Sequence, residues 1–179
     1  PAYGAVILAA HYASALTAGL IFRGRKRGTN AHPPVTVSAM PADSALQQSI
    51  ASSTLAMLAV GGYIVVGNML IDAISLTGLT SLIGAVPNAA ASGCLNALVF
   101  GSVEMTRGAM AAASVPNVHL AVASAAAIVS FGGLSVMMQS QAFLSGCGIG
   151  FLPLLARKCV QCVAAFVYAL IFSLIFFTN

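Results

Sequence analysis

The stretch Leu98-Val99-Phe100-Gly101-Ser102-Val103-Glu104-Met105-Thr106-Arg107-Gly108 sets a carboxylate and a guanidinium inside an otherwise apolar segment. The chain of 179 residues holds only three acidic and seven basic side chains. Most of them lie at the ends of apolar runs, where a membrane protein keeps its charges. Glu104 and Arg107 do not. A charged side chain at the bilayer centre costs about 2.5 kcal/mol or more, so it normally faces a protein partner or a water-filled path. Glu104 is therefore a functional-site candidate, and the segment around it is not a plain spanning helix.

Composition fixes the class. The chain is 59% hydrophobic and 6% charged, with a mean hydropathy of +0.98. A soluble domain carries about 25% charged residues, so a soluble fold is excluded. Several runs reach the roughly 20 apolar residues that span about 30 Å of hydrocarbon. The formal charge of +4 is not a nucleic-acid signature, because no basic face interleaved with aromatics is visible. Four of the basic residues fall in Arg23-Gly24-Arg25-Lys26-Arg27, directly after an apolar run. That is the pattern of a cytoplasmic loop under the positive-inside rule. The chain opens on Pro1 with no basic region before its first apolar run, which argues against a cleavable signal peptide. It reads as the C-terminal part of a longer transporter.

Working outward from Glu104, the sequence divides as follows. Residues 1–22 form a spanning helix and 23–42 a cytoplasmic basic loop. Residues 43–76 form an interfacial or cytoplasmic extension followed by a second spanning helix, with Asp43 or Ser44 as its cap. Asn68 and Asp72 share one face of that helix at i,i+4 and form interhelical hydrogen bonds or lie near the outer interface. Residues 77–115 hold Gly78, Gly84, Pro87, Gly93, Gly101 and Gly108, and the apolar runs between them are short. They read as two half-helices in a re-entrant hairpin, a backbone tolerated at membrane depth only where protein or a cavity satisfies it. Residues 116–145 form a spanning helix broken at Ser130-Phe131-Gly132-Gly133-Leu134-Ser135. Residues 153–177 form the last spanning helix, opened by Arg157 and Lys158. The fold is thus all-α and polytopic, with four spanning helices, one of them broken, and a re-entrant hairpin. With the hairpin re-entrant, Arg157 and Lys158 fall on the same side as Arg23; a full crossing by 77–115 would put them outside.

Val103-Glu104-Met105-Thr106-Arg107-Gly108, followed by Ser130 through Gln139, resembles the nucleoside-recognition (Gate) domain family. Within it the likeness is greatest to the sporulation integral membrane proteins of endospore-forming bacteria that are linked to dipicolinic acid transport. The order of elements over residues 43–175 also resembles the C-terminal half of concentrative nucleoside transporters. The resemblance implies half of an inverted-repeat transporter, with the bilayer, a small-molecule substrate, and an upstream half or a homo-oligomer partner as its associates. It implies that Glu104 and the 131–135 break contact substrate. The chain departs from nucleoside carriers by having Gly132-Gly133 where they have an Asn, and by lacking their base-reading Gln-Thr-Glu hairpin. The implied activity is transport of a small polar solute, foremost an organic anion such as dipicolinate in a cell or forespore membrane. A nucleoside carrier and a non-transporting scaffold for spore maturation are the alternatives.

The candidate substrate-binding residues are Glu104, Thr106, Arg107, Ser130, Gly132, Gly133, Ser135 and Gln139. Glu104 either contacts substrate or a cation at the hairpin tip, or pairs with Arg107 at i,i+3. Arg107 holds an anionic substrate by a bidentate contact, neutralises Glu104, or snorkels outward. Ser130 and Ser135 flank a glycine break whose unwound carbonyls and hydroxyls line a site, or whose glycines permit a close helix crossing. Gln139 is favoured over Gln141 as a cavity residue. His11 and His119 read as hydrogen-bonded packing residues ahead of proton relays. No His or acidic residue stands near a nucleophile in a catalytic pattern, so an enzyme is not expected. Cys159-Val160-Gln161-Cys162 lacks the second pair that a zinc site needs; no metal or cofactor is expected, beyond a coupling proton or sodium ion.

Single cysteines placed in a cysteine-free background test the topology. Positions in 24–34 are expected to label from the cytoplasm, and positions near Thr77 and Asn117 from outside. Labelling of 77 and 117 on opposite sides would replace the hairpin by a full crossing.

Overall fold

Stripes of alanine, serine and glycine recur every four residues along several apolar helices, and they set how the chain packs. In the computed structural model, which describes residues 2–23, 41–144 and 148–177, every element is a helix. Four helical stretches are long and apolar enough to cross a membrane: Ala2–Phe22, Asp43–Leu76, Val118–Ala142 and Phe151–Phe176. The protein is a multi-pass membrane protein. Most of the basic loop expected over 23–42 lies outside the described residues, as does the start of the turn before the last helix.

The first helix, α1 (Ala2–Phe22), buries Val6, Ala10, Ser14 and Ala18. The last, α8 (Phe151–Phe176), buries Ala165, Ala169 and Ser173. Side chains this small let backbones approach closely, which drives association where lipid offers no hydrophobic contrast. At one end of the pair the Arg157 guanidinium lies 5.8 Å from the centre of the Phe22 ring. At the other, the Tyr3 and Phe177 rings are 4.5 Å apart. The two helices therefore run antiparallel over their full length, and Arg157 stands at the same end as Arg23. Between them packs α6 (Val118–Phe131), whose Val122, Ala123 and Ala126 join Val6, Ala10 and Ala169 in one core. Interhelical hydrogen bonds pin the group: Thr17 Oγ1 with Tyr168 OH at 2.8 Å, and His119 Nδ1 with Ser173 Oγ at 3.2 Å. Each such bond contributes about 0.6 to 2 kcal/mol in a membrane.

Helix α2 (Ala42–Leu76) is one unbroken element of 35 residues rather than an extension followed by a separate spanning helix. Its length of about 52 Å at 1.5 Å per residue exceeds the hydrocarbon thickness, so the polar turns at Gln47 to Thr54 project beyond it. Neither Asp43 nor Ser44 caps it. Pro41 occupies the N-cap, Asp43 lies in the first turn, and Ser44 Oγ donates back to the Pro41 carbonyl at 2.8 Å. Proline is pre-set for a helix start and gives up an N–H that would be orphaned there. Leu55, Met57, Leu58, Val65 and Met69 are exposed on this helix, as lipid-facing positions are.

A short helix, α3 (Leu79–Gly84), leads into α4 (Ala89–Val103), which Asn88 caps by accepting from the Ala90 and Ala91 amides. Glu104 then interrupts the helical backbone at φ −138°, ψ 123°, and α5 (Met105–Ala113) returns along α4. Gly93 lies against Val115, Ala97 and Ala112 share one cluster, and Gly108 rests on the backbone of Gly101. The glycines and alanines at 93, 97, 101, 108 and 112 are what allow so tight a hairpin. Ile128 of α6 seats on Gly101 from outside. Helix α6 ends at Phe131, and Gly132 (φ +86°) and Gly133 (φ +73°) turn the chain into α7 (Gly133–Leu144). Left-handed backbone at two successive residues is accessible to glycine without steric cost.

Gly108→Ala would drive its Cβ into the Gly101 backbone, an overpacking that costs about 1–3 kcal/mol. Gly61 and Gly62 have nothing within 4 Å of an added Cβ, so alanine there is expected to be neutral or slightly stabilising. Thermal unfolding in detergent, followed by helical circular dichroism, reads the contrast.

Candidate functional site

Two backbone interruptions meet in the fold. A Cβ added to Gly133 would lie 3.1 Å from Gly101 O, Val103 O and Met105 N. The α6–α7 break is therefore seated directly on the α4–α5 turn. The glycine break thus lies against the last carbonyls of α4 and the first amides of α5, groups that a helix end leaves without partners in their own helix.

Glu104 stands at this junction and is 2% exposed. It is the N-cap of α5: Oε2 accepts the Arg107 backbone N–H at 2.8 Å. A carboxylate at a helix N-terminus answers both the orphaned amide and the positive end of the helix dipole. Its backbone is also engaged, donating to Phe100 O at 2.9 Å and accepting from Gly108 N at 3.2 Å. The side-chain stem lies on α2, where a Cβ on Gly67 would meet Glu104 Cγ at 3.1 Å and Ser135 Cβ at 3.6 Å. Glu104 of the hairpin, Gly67 of α2 and Ser135 of α7 are thus in mutual proximity.

Ser135 is 6% exposed, and its Oγ has no hydrogen-bond partner among the described residues. The same holds for Gln139 Nε2, one turn further along α7, and for Asn96 Oδ1 on α4. A buried polar atom without a partner costs about 1–3 kcal/mol, and native proteins keep few of them. Of these, Ser135 lies near the buried carboxylate, across Gly67, and an unsatisfied hydroxyl there is a group that a polar solute can satisfy.

The alternative, an i,i+3 pairing between the Glu104 and Arg107 side chains, is not formed. The Arg107 guanidinium turns to α2 and donates to Asp72 Oδ1 at 3.0 Å. Only its backbone amide serves Glu104. The Arg107 and Asp72 side chains are 38% and 65% exposed, so the pair contributes at most about 0.2–1 kcal/mol. Asn68 bonds within its own helix, to Ile64 O at 2.8 Å. Thr106 is exposed and lies outside the buried group.

Ser130 belongs to a different neighbourhood. Its Oγ lies 3.0 Å from His11 Nδ1 of α1, and its carbonyl accepts from Lys158 Nζ of α8 at 3.1 Å. Lys158 thereby caps the C-terminal end of α6, where a cation is favourable. The sequence-derived candidates are split by the glycine break: Glu104, Gly133 and Ser135 gather on the hairpin side, Ser130 on the α1–α8 side. Gly132 packs against Val136. Gly67, Asn96, Asp72 as the partner of Arg107, and Lys158 were not singled out as site residues from the sequence. Gly67, Asp72 and Lys158 meet residues distant in the chain, which no local pattern marks. Cys94 is buried and accepts from Ser124 Oγ, a packing role.

Comparison with protein-family models, with curated proteins and with solved structures returned no match.

Glu104→Gln retains an acceptor for the Arg107 amide and is expected to unfold within about 0.5 kcal/mol of wild type. Glu104→Ala removes the cap and is expected to lose roughly 0.5–2 kcal/mol. Thermal unfolding of both variants in the same detergent measures the difference.

Proposed function

We propose that the chain is one half of a secondary transporter for a small polar solute and is not an enzyme. In this reading α4 and α5 form a re-entrant hairpin, and the seating of its tip on the α6–α7 break makes one wall of the transport path. Transporters built from inverted repeats place substrate at such discontinuous helices near the bilayer midplane. The proximity of Arg157 to Phe22 supports the re-entrant reading, because an even number of crossings then separates the two basic ends. The resemblance of residues 103–108 and 130–139 to the Gate family supports the same reading. The missing wall comes from an upstream half or a second copy of the chain.

The observation that carries the proposal is the buried Glu104 lying close, across Gly67, to Ser135, whose buried Oγ is unsatisfied. A carboxylate accepts hydrogen bonds and repels anions, so this group favours a neutral solute bearing hydroxyl or amine donors, such as a nucleoside. A second reading, an organic anion such as dipicolinate moved across a forespore membrane, is favoured by Arg107. Its pair with Asp72 is half-exposed and weak, so an anionic substrate can displace Asp72 at little cost. A scaffold role in spore maturation needs neither residue.

Uptake of radiolabelled uridine and dipicolinate by membrane vesicles carrying the chain separates these readings, with membrane levels checked by blot. Loss of a hydrogen bond to a charged group is worth about 1.5–3 kcal/mol. Glu104→Gln is therefore expected to lower uptake about tenfold or more at every pH, and Arg107→Gln to leave most of it. The reverse pattern assigns the anion reading. No uptake of either solute, by wild type or by either variant, assigns the scaffold. A reconstituted monomer is expected to show no saturable uptake, and such uptake would refute the two-halves reading.

A further inference from the structure

At the basic end of the α1–α8 pair lies an open cleft of about 350 Å³. That lies within the roughly 300–1,000 Å³ of small-molecule sites. Arg157, Lys158 and Gln161 line it from α8, and Ala15, Gly19 and Phe22 from α1. Among the described residues no carboxylate side chain lines it. Arg157 is exposed, with its guanidinium 5.8 Å from the centre of the Phe22 ring, and a guanidinium offers five N–H donors. Lys158 Nζ uses two donors, on Ser130 O at 3.1 Å and Gln161 Oε1 at 3.4 Å, of the three an ammonium offers.

We infer that this cleft binds one anionic phospholipid, with its phosphate at Arg157 and Lys158 and an acyl chain along Ala15 and Gly19. The charge is complementary: two cations, with no lining counter-ion among the described residues, stand where the two helices reach the interface, beside Arg23. Basic pockets between spanning helices on the cytoplasmic side suit anionic headgroups, and a guanidinium matches phosphate geometry. The shape is complementary as well. Ala15 and Gly19 are one helical turn apart and exposed, and Gly19 has nothing within 4 Å of an added Cβ. They form a shallow track flanked by the exposed Leu16 and Leu20. A free anion would use the cations and leave that track empty. The inference rests on membrane placement and not on the transport reading, so a failure of one leaves the other standing.

The test is native mass spectrometry of the full chain, delipidated in detergent and titrated with dioctanoyl phosphatidylglycerol, dioctanoyl phosphatidylcholine and inorganic phosphate. The anionic lipid is expected to bind about tenfold more tightly than the zwitterionic one. Arg157→Gln, which leaves the Lys158–Ser130 contact in place, should remove most of that margin. Gly19→Leu should weaken both lipids by filling the track. Millimolar phosphate should not displace bound lipid. Thermal midpoints of both variants should match wild type, so that lost binding is not lost folding. Equal affinity for the two lipids, an unchanged margin in Arg157→Gln, or unchanged binding in Gly19→Leu would overturn the inference. Displacement by inorganic phosphate would overturn it in favour of a free-anion site.

Discussion

Gly133 resting on the backbone of residues 101–105 is the contact on which the rest of the structure depends. It is a backbone-to-backbone seat, and it exists only because position 133 has no side chain and a positive φ. Through it the break in α6–α7 and the turn in α4–α5 stabilise one another. Each exposes helix-terminal carbonyls and amides that a bilayer core would not satisfy. Placed together, they pack against one another, and the Arg107 amide is met by the Glu104 carboxylate. The buried carboxylate is a consequence of this seat. Without the turn that α6–α7 holds in place, Glu104 would ride on a continuous helix with no amide to accept from.

The charged side chains follow a division of labour that the fold imposes. Glu104 is buried and answers a helix N-terminus. Lys158 reaches inward and answers the C-terminal end of α6. Each thus complements the end of a helix dipole that the interruptions leave open. Arg107 and Asp72 are half-exposed and tie the hairpin to α2. A direct Glu104–Arg107 side-chain pair, one of the readings the spacing allowed, gives way to two separate contacts: the Arg107 amide meets Glu104 and its guanidinium meets Asp72 on α2.

The all-helical membrane class and the four candidate spans were legible in the sequence, because hydropathy over some twenty residues is a local property. The position of the α6–α7 break was marked by two adjacent glycines in an apolar run. What the sequence hid were features decided by distant partners. Asp72 meets Arg107 across 35 positions, and Lys158 meets Ser130 across 28. No spacing rule encodes either contact. The continuity of α2 was hidden for another reason. The polar turns at Gln47 to Thr54 suggested a change of element, yet serine and threonine there bond back to their own helix, as Ser52 does to Gln48 O and Thr54 to Ile50 O. The helix continues through a change of surroundings rather than a change of structure.

The small-residue interfaces of α1, α6 and α8 invert the usual relation between a protein core and its mutations. In a soluble core of leucine and phenylalanine, a random change mostly removes volume and opens a cavity. At Ala10, Ala123 and Ala169, all fully buried, there is almost nothing to remove. Nearly every substitution adds atoms and forces two backbones apart. The interior of this protein is bounded from above in size, while its lipid-facing leucines, isoleucines and valines are bounded only in polarity. Its sequence is thus free to drift in shape on the outside and is held to a maximum width within.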